Sequence, residues 1–297
     1  MKRAMIALLA LCLLIPASAT AQRWAFGEDE VPTLYAVGIT GSMVPNIDGD
    51  LSDWTSYPEW NVWTFADNFI DNSFGTVKDL NTLDFTGKLA WHPGSNMLYY
   101  AFDVYDDVHI QESAKGACQY WIQDDLEWYI DADNSGGSYN GNEPEGVRRC
   151  GPAQQEAMLV GGVGDDLCTC SASKWVMEAP YLFVAGTVTE TATGTQTTYE
   201  VARMLFDFLD ETPEASSIHQ LSEGDVIGMS WDIEDQDQSG DGKSQTTAWY
   251  TTSLTALYRE ADNLNDVQMS PLEWGVAGGA TAVESNSWGA VKATFAE

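Results

Sequence analysis

Basic side chains are scarce: 13 Lys and Arg stand against 45 Asp and Glu, giving a formal net charge of −32. Nucleic acid and anionic membrane both repel such a surface, so neither is expected as a partner. Histidine is scarcer still, with His92, His109 and His219 scattered along the chain and no His-Glu-x-x-His motif. The chain also lacks a Gly-x-Ser-x-Gly nucleophile elbow and a phosphate loop, since Gly161-Gly162-Val163-Gly164 has no clear strand and helix around it. Glycosidase-like carboxylate pairs can be drawn from Asp124, Asp125 and Glu127, but acids are so frequent that such pairs arise by coincidence. No convincing long amphipathic helix and no internal repeat of fixed period are present. These absences argue against an enzyme, and catalytic residues are not assigned.

Long apolar runs are missing after the first 21 residues, so no later segment approaches the roughly 20 residues of a membrane span. The beginning differs. Lys2 and Arg3 precede an apolar run from Ala4 to Ile15 and then Pro16-Ala17-Ser18-Ala19-Thr20-Ala21, the three parts of a secretory signal peptide with cleavage expected after Ala21. Leu11 before Cys12 is too large for lipoprotein processing. The mature chain is expected to be secreted or extracytoplasmic, in the periplasm or at the cell surface.

Of five cysteines, Cys12 lies in this leader and Cys118, Cys150, Cys168 and Cys170 follow. An even number in an oxidising compartment points to two disulfides, with three pairings open. Cys168 and Cys170 are too close for an easy bridge to each other, so each is expected to join one of Cys118 and Cys150. Zinc is the weaker alternative, because no histidine is near and the spacing is not that of a zinc ribbon.

Aromatic residues are plentiful, with 12 Trp among them, so this is not an acidic disordered chain. Thr86 to Trp91 alternates, His92-Pro93-Gly94-Ser95-Asn96 breaks the pattern, and Met97 to Tyr105 alternates again, which predicts a β-hairpin with Leu98, Tyr100, Phe102 and Val104 facing a core. Further strands are expected at 125–131, Tyr181–Val188, Thr197–Met204, Val226–Glu234, Thr246–Thr252 and Trp288–Phe295. A short helical turn is expected at Leu205–Leu209. Many short strands between turn signals predict an all-β, antiparallel sandwich of immunoglobulin-like or jelly-roll-like kind. The layout is a leader at 1–21, a lead-in at 22–45 and the sandwich at 46–297, with a long disulfide-held loop insertion at about 135–180.

In the strand at 125–131, Leu126, Trp128 and Ile130 alternate with Glu127, Tyr129 and Asp131, so one face is expected in the core while the other presents a carboxylate and a phenol. It runs into Asp131-x-Asp133-x-Ser135-Gly136, and the strand from Val226 runs into Asp235-x-Asp237-x-Ser239-Gly240-Asp241. Alternate side chains bring oxygens toward one point while the glycine allows the sharp turn, as in the first half of an EF-hand loop. Asn142 and Thr246 stand where an EF-hand has its twelfth-position glutamate, so further ligands must come from elsewhere in the fold. Calcium is the cofactor expected at Asp131, Asp133 and Ser135 and at Asp235, Asp237, Ser239 and Asp241.

The order of motifs resembles the family 9 carbohydrate-binding modules. The pieces are Ile47-Asp48-Gly49-Asp50 with Asp53-Trp54, the hairpin strand Leu98 to Asp107, Trp121 to Asp131, Tyr199-Glu200-Val201-Ala202, Gly224-Asp225-Val226-Ile227-Gly228, and Ser270-Pro271 with Trp274-Gly275. The resemblance implies a secreted, calcium-stabilised β-sandwich that binds polysaccharide or oligosaccharide, and it makes Trp121 a stacking residue and Glu127 a sugar contact. An indole stacks on the apolar C–H face of a sugar ring while a carboxylate takes its hydroxyls. Gln123 and Tyr129 are supporting donors. Gln268 stands in the place of the family's second tryptophan. Two other readings remain: a surface-assembly protein that self-associates or holds cell-surface proteins through the same sandwich, and a haem-binding relative of the fold.

Overall fold

The alternation on either side of His92–Asn96 produces a long hairpin in the computed structural model, which describes residues 33–58, 61–71, 79–112, 118–161, 166–237, 248–253 and 257–272. Strands β1 (Leu34–Gly38), β2 (Val62–Thr64) and β3 (Ile70–Asp71) precede the hairpin of β4 (Leu83–His92) and β5 (Met97–Asp106). Then come β6 (Asp125–Asp131), β7 (Gln154–Leu159), β8 (Asp166–Thr169), β9 (Leu182–Glu190) and β10 (Thr195–Arg203). The remainder are β11 (Phe206–Phe208), β12 (Ser217–Ile218), β13 (Val226–Asp235), β14 (Ala248–Thr251) and β15 (Asp266–Met269).

The hydrogen-bonded order is β8-β7-β6-β13-β15-β1-β4-β5-β10-β9. Strand β1 joins two layers: Leu34–Ala36 pair with β15, and Val37–Gly38 pair with Ala90–Trp91 of β4, both in parallel. The sandwich is otherwise antiparallel along this path. Its layers meet through aromatic rings, Tyr100 of β5 lying edge-on to Trp128 of β6 and to Trp231 of β13, each at 5.6 Å between centroids. Trp63 of β2 packs on Trp231 at 4.8 Å. Leu98, Tyr100, Phe102 and Val104 all enter this core as the alternation requires. Edge-on aromatic pairs add about 0.5–1.5 kcal/mol each beyond their buried area.

Three segments differ from the sequence expectation. Leu34–Gly38 is a strand inside the lead-in, missed because five residues buried on nearly every side show no alternation. The insertion at 135–180 is not loop throughout: β7 and β8 extend the sheet beside β6. Strand β7 carries Gln154, Gln155 and Glu156, all buried, so it does not read as a core strand. Leu205–Leu209 gives no helical turn, because Phe206–Phe208 pairs with Ser217–Ile218 instead. The strand expected at Trp288–Phe295 and the leader at 1–21 lie outside the described residues.

Two disulfides, Cys118–Cys168 and Cys150–Cys170, hold the insertion across sequence separations of 50 and 20 residues. Each therefore takes one cysteine of the close pair, and in the chain-entropy account each contributes about 3–4 kcal/mol. Glu156 and Arg203 form a bidentate ion pair with both side chains at 0% exposure, Nη2 to Oε1 at 2.6 Å and Nε to Oε2 at 2.8 Å. This pair ties β7 to β10.

Candidate functional site

Both faces of β6 are buried. Leu126, Trp128 and Ile130 enter the core, while Asp125, Glu127, Tyr129 and Asp131 on the opposite face are each 1% exposed. Tyr129 belongs to a second apolar cluster with Tyr139 and Leu257, which covers the face expected to be open.

The register of β6 on β13 sets Glu127 opposite Asp232 and Asp125 opposite Glu234. The Tyr129 hydroxyl lies 2.6 Å from Glu127 Oε2 and 2.6 Å from Asp232 Oδ2. Gln155 Nε2 donates to Glu127 Oε2 at 2.9 Å, Asn140 Nδ2 donates to Gln155 Oε1, and Arg149 Nε donates to Asn140 Oδ1. Burial holds the Asp125 and Glu127 carboxyls well above the usual range, helped next by the Glu127 charge at Asp125 and by the facing Asp232 charge at Glu127.

Trp121 sits on a 3-10 turn, Tyr120–Ile122, with its residue 45% exposed. Tyr120 packs edge-on against it at 5.2 Å, and the charges of Glu127 and Asp125 help burial push the Tyr120 phenol up. The Tyr120 phenol therefore lies within the field of these carboxylates. Gln123 is buried; its Nε2 donates to the Ile122 carbonyl at 2.8 Å and its Oε1 accepts from the Glu112 N–H. Of the four residues assigned to a sugar site, the structure leaves Trp121 at the surface and buries Gln123, Glu127 and Tyr129.

At the end of β6, Asp131 Oδ2 accepts the Gly136 N–H at 2.7 Å, and Asp133 lies close enough to raise the Asp131 carboxyl. Burial is the larger cause, and the group is pushed up to about 7. Gly136 has φ +74°, and a Cβ there would collide with the Asp262 carboxylate, so glycine admits a third acid to this turn. At the end of β13, burial and the charges of Asp237 and Asp106 push Asp235 up to about 8. Ser239 and Asp241 lie outside the described residues.

Near Asp235, Asp106, His109 and Asp124 bring ligand atoms within 4.8 Å of one another. Asp124 accepts N–H groups from Ile110 and Gln236. His109 Nε2 lies 2.9 Å from the Val160 carbonyl, which can only accept, so the neutral ring carries its proton there and turns the Nδ1 lone pair toward the two carboxylates. Cys118, Asp166 and Cys168 form another group, but its sulfurs are joined in a disulfide and offer no thiolate. His92 and His219 lie elsewhere, against Ser95 and Asp207.

The residues that sequence reasoning missed are Asp232, Glu234 and Gln155 around Glu127, and His109 beside Asp124. Asp232 and Glu234 alternate with Trp231 and Ile233, the same signal that singled out Glu127.

Residues 47–269 match the family described as carbohydrate family 9 binding domain-like. A comparison with curated proteins gives no match. Among solved structures, a family 9 carbohydrate-binding module from Caldicellulosiruptor kristjanssonii in complex with cellotriose is 13% identical, covers 85% of this chain and 99% of its own, and superposes with a TM-score of 0.52. A family 9 module from the same organism in complex with glucose is 15% identical over 80% of this chain and 95% of its own, with a TM-score of 0.49. The first likeness supports the sandwich as the shared fold. With its motifs in order and three quarters of its length matched, the chain belongs to the carbohydrate family 9 binding domain-like family.

Proposed function

We propose that this chain is an exported, non-catalytic carbohydrate-binding protein that takes its ligand at the Trp121 face and is stabilised by calcium at its acidic turns. The observation that carries this reading is the Trp121 indole, held at the surface by the Tyr120–Ile122 turn, while Trp54, Trp91, Trp128 and Trp231 are all at 1% exposure or less. An exposed, braced aromatic ring offers a sugar's C–H face a stacking partner without the cost of opening a core. Glu127 and Tyr129 contribute by fixing β6 to β13, the Tyr129 hydroxyl lying against Glu127 and Asp232.

Calcium is assigned to the turn of Asp131, Asp133 and Ser135, and to Asp235 and Asp237 with Ser239 and Asp241. The convergence of Asp106 and Asp124 on Asp235 supports the second turn, since it supplies carboxylates that the local sequence lacks. Export is supported by the leader at 1–21 and by two disulfides, which persist in oxidising compartments.

The test is a glycan screen with the mature protein in calcium, beginning with cello-oligosaccharides and extending to soluble polysaccharides. Saturable binding to at least one glycan is expected. Folded, calcium-loaded protein that binds none of them overturns the reading. Melting with and without chelator tests the ion, and an unchanged midpoint would remove calcium from the account.

A further inference from the structure

Asp125 and Glu127 of β6 face Glu234 and Asp232 of β13 as two successive cross-strand rungs, and all four are buried. Like charges directly opposite one another destabilise a sheet even at its surface. Taken out of water, each uncompensated carboxylate costs several kcal/mol. The polar neighbours around Glu127 are the Tyr129 hydroxyl, which has one proton for two carboxylates, and the Gln155 amide. Arg149 stops at Asn140, two side chains short of Glu127, and Arg203 is committed to Glu156.

Asp125 supplies an independent indication. Among the described residues, neither of its carboxylate oxygens has a hydrogen-bond partner, although the residue is 1% exposed and the charges acting on it come from Glu127, Glu234, Asp232 and Asp124. A buried, unpartnered carboxylate among four others, with an oxygen close to those of Glu127 and Asp232, is arranged for a positive charge. One oxygen each from Asp125, Glu127 and Asp232 lie within 4.8 Å of one another. Oxygens bound to calcium at about 2.4 Å can be at most about 4.8 Å apart across the ion, so these donors fit around one centre.

The geometry points to a buried divalent-cation site held by Asp125, Glu127 and Asp232, with Glu234 adding charge from the neighbouring rung. The donor set is all oxygen, which suits a hard cation such as calcium over zinc or copper. The site is separate from the turns after β6 and β13, and it does not depend on sugar binding. An ion here would cross-link the two central strands, β6 and β13.

The experiment uses the mature protein stripped with chelator and titrated with calcium, with ions counted by native mass spectrometry. Terbium luminescence sensitised by the nearby tyrosines reports the site directly. Two near-isosteric variants, Asp125→Asn and Glu127→Gln, keep the comparison from depending on one substitution's folding. Each is expected to bind one calcium fewer than the unaltered chain and to lose most of the sensitised terbium signal, while Asp131→Asn keeps that signal. In chelator, Asp125→Asn is expected to melt higher than the unaltered chain because a like charge is gone, and in calcium the order should reverse. Equal calcium stoichiometry in the unaltered chain and both variants, with an equal gain in melting temperature, overturns the proposal.

Discussion

Glu127 and Asp232 face one another across the β6–β13 ladder, and the Tyr129 hydroxyl lies 2.6 Å from a carboxylate oxygen of each. One phenolic proton cannot serve two ionised carboxylates. Gln155 adds a second donor at Glu127, yet two like charges still face one another. Protonation of one carboxyl or a cation between them would relieve the pair, with different pH behaviour.

Without a divalent ion, stability should fall as pH rises. Burial pushes Asp106 up to about 6, Asp131 to about 7 and Asp235 to about 8, from 3.8, and raises Asp125 and Glu127 as well. A carboxyl whose folded pKa lies above its unfolded one contributes stability below the unfolded value and loses it as pH climbs through the folded value. Calorimetry in chelator should therefore show the melting temperature falling by several degrees between about pH 4 and pH 8. Saturating calcium should flatten that slope. A melting temperature that rises across the same range in chelator contradicts the assignment of these groups.

Breaking the buried Glu156–Arg203 pair should be costly. Arg203→Met leaves Glu156 as an uncompensated charge in the core, with an expected loss of about 3–5 kcal/mol in urea unfolding. Adding Glu156→Gln should recover a large part of it, because the amide oxygen still accepts the Trp128 indole N–H that Glu156 Oε2 now takes at 2.7 Å. A double variant no more stable than the single one would show that the charge is not the cause.

Glu200 gathers the N-terminal turn onto β10. Its Oε2 accepts the N–H groups of Asp48 and Gly49, at 3.0 and 2.5 Å, and its Oε1 accepts the Trp54 indole N–H at 2.7 Å. Glu200→Ala should cost about 2–4 kcal/mol, since it strands three donors at once. Glu200→Gln should cost roughly half of that, because one oxygen remains to accept. Urea midpoints at constant slope would measure both.

These anchors show what the sequence could and could not reveal. The motif at Asp48-Gly49 and the motif at Glu200 were each legible, but their meeting across 152 positions was not, because hydrogen-bond partners at that separation leave no local pattern. The hairpin of β4 and β5 was legible because its two sides see different surroundings. Strand β6 shows the same alternation, yet both of its faces are buried, since Tyr139 and Leu257 arrive from distant loops to cover the acidic one. Alternation distinguishes two faces without saying which is wet. Asp232 carried the same signal as Glu127, and the register that joins them belongs to the sheet. The cysteine reading held in its general form, one partner from each pair, while the choice of Cys118 for Cys168 came from the fold.

The most direct measurement for the account as a whole is the affinity of the Trp121→Ala variant, by calorimetric titration in calcium, for whichever glycan the unaltered protein binds. Loss of a stacking ring from a partly solvated site should weaken binding at least about tenfold, or 1.4 kcal/mol, with little change in melting temperature because the side chain is outside the core. Unchanged affinity in the folded variant would contradict the Trp121 face as the place where this chain meets sugar.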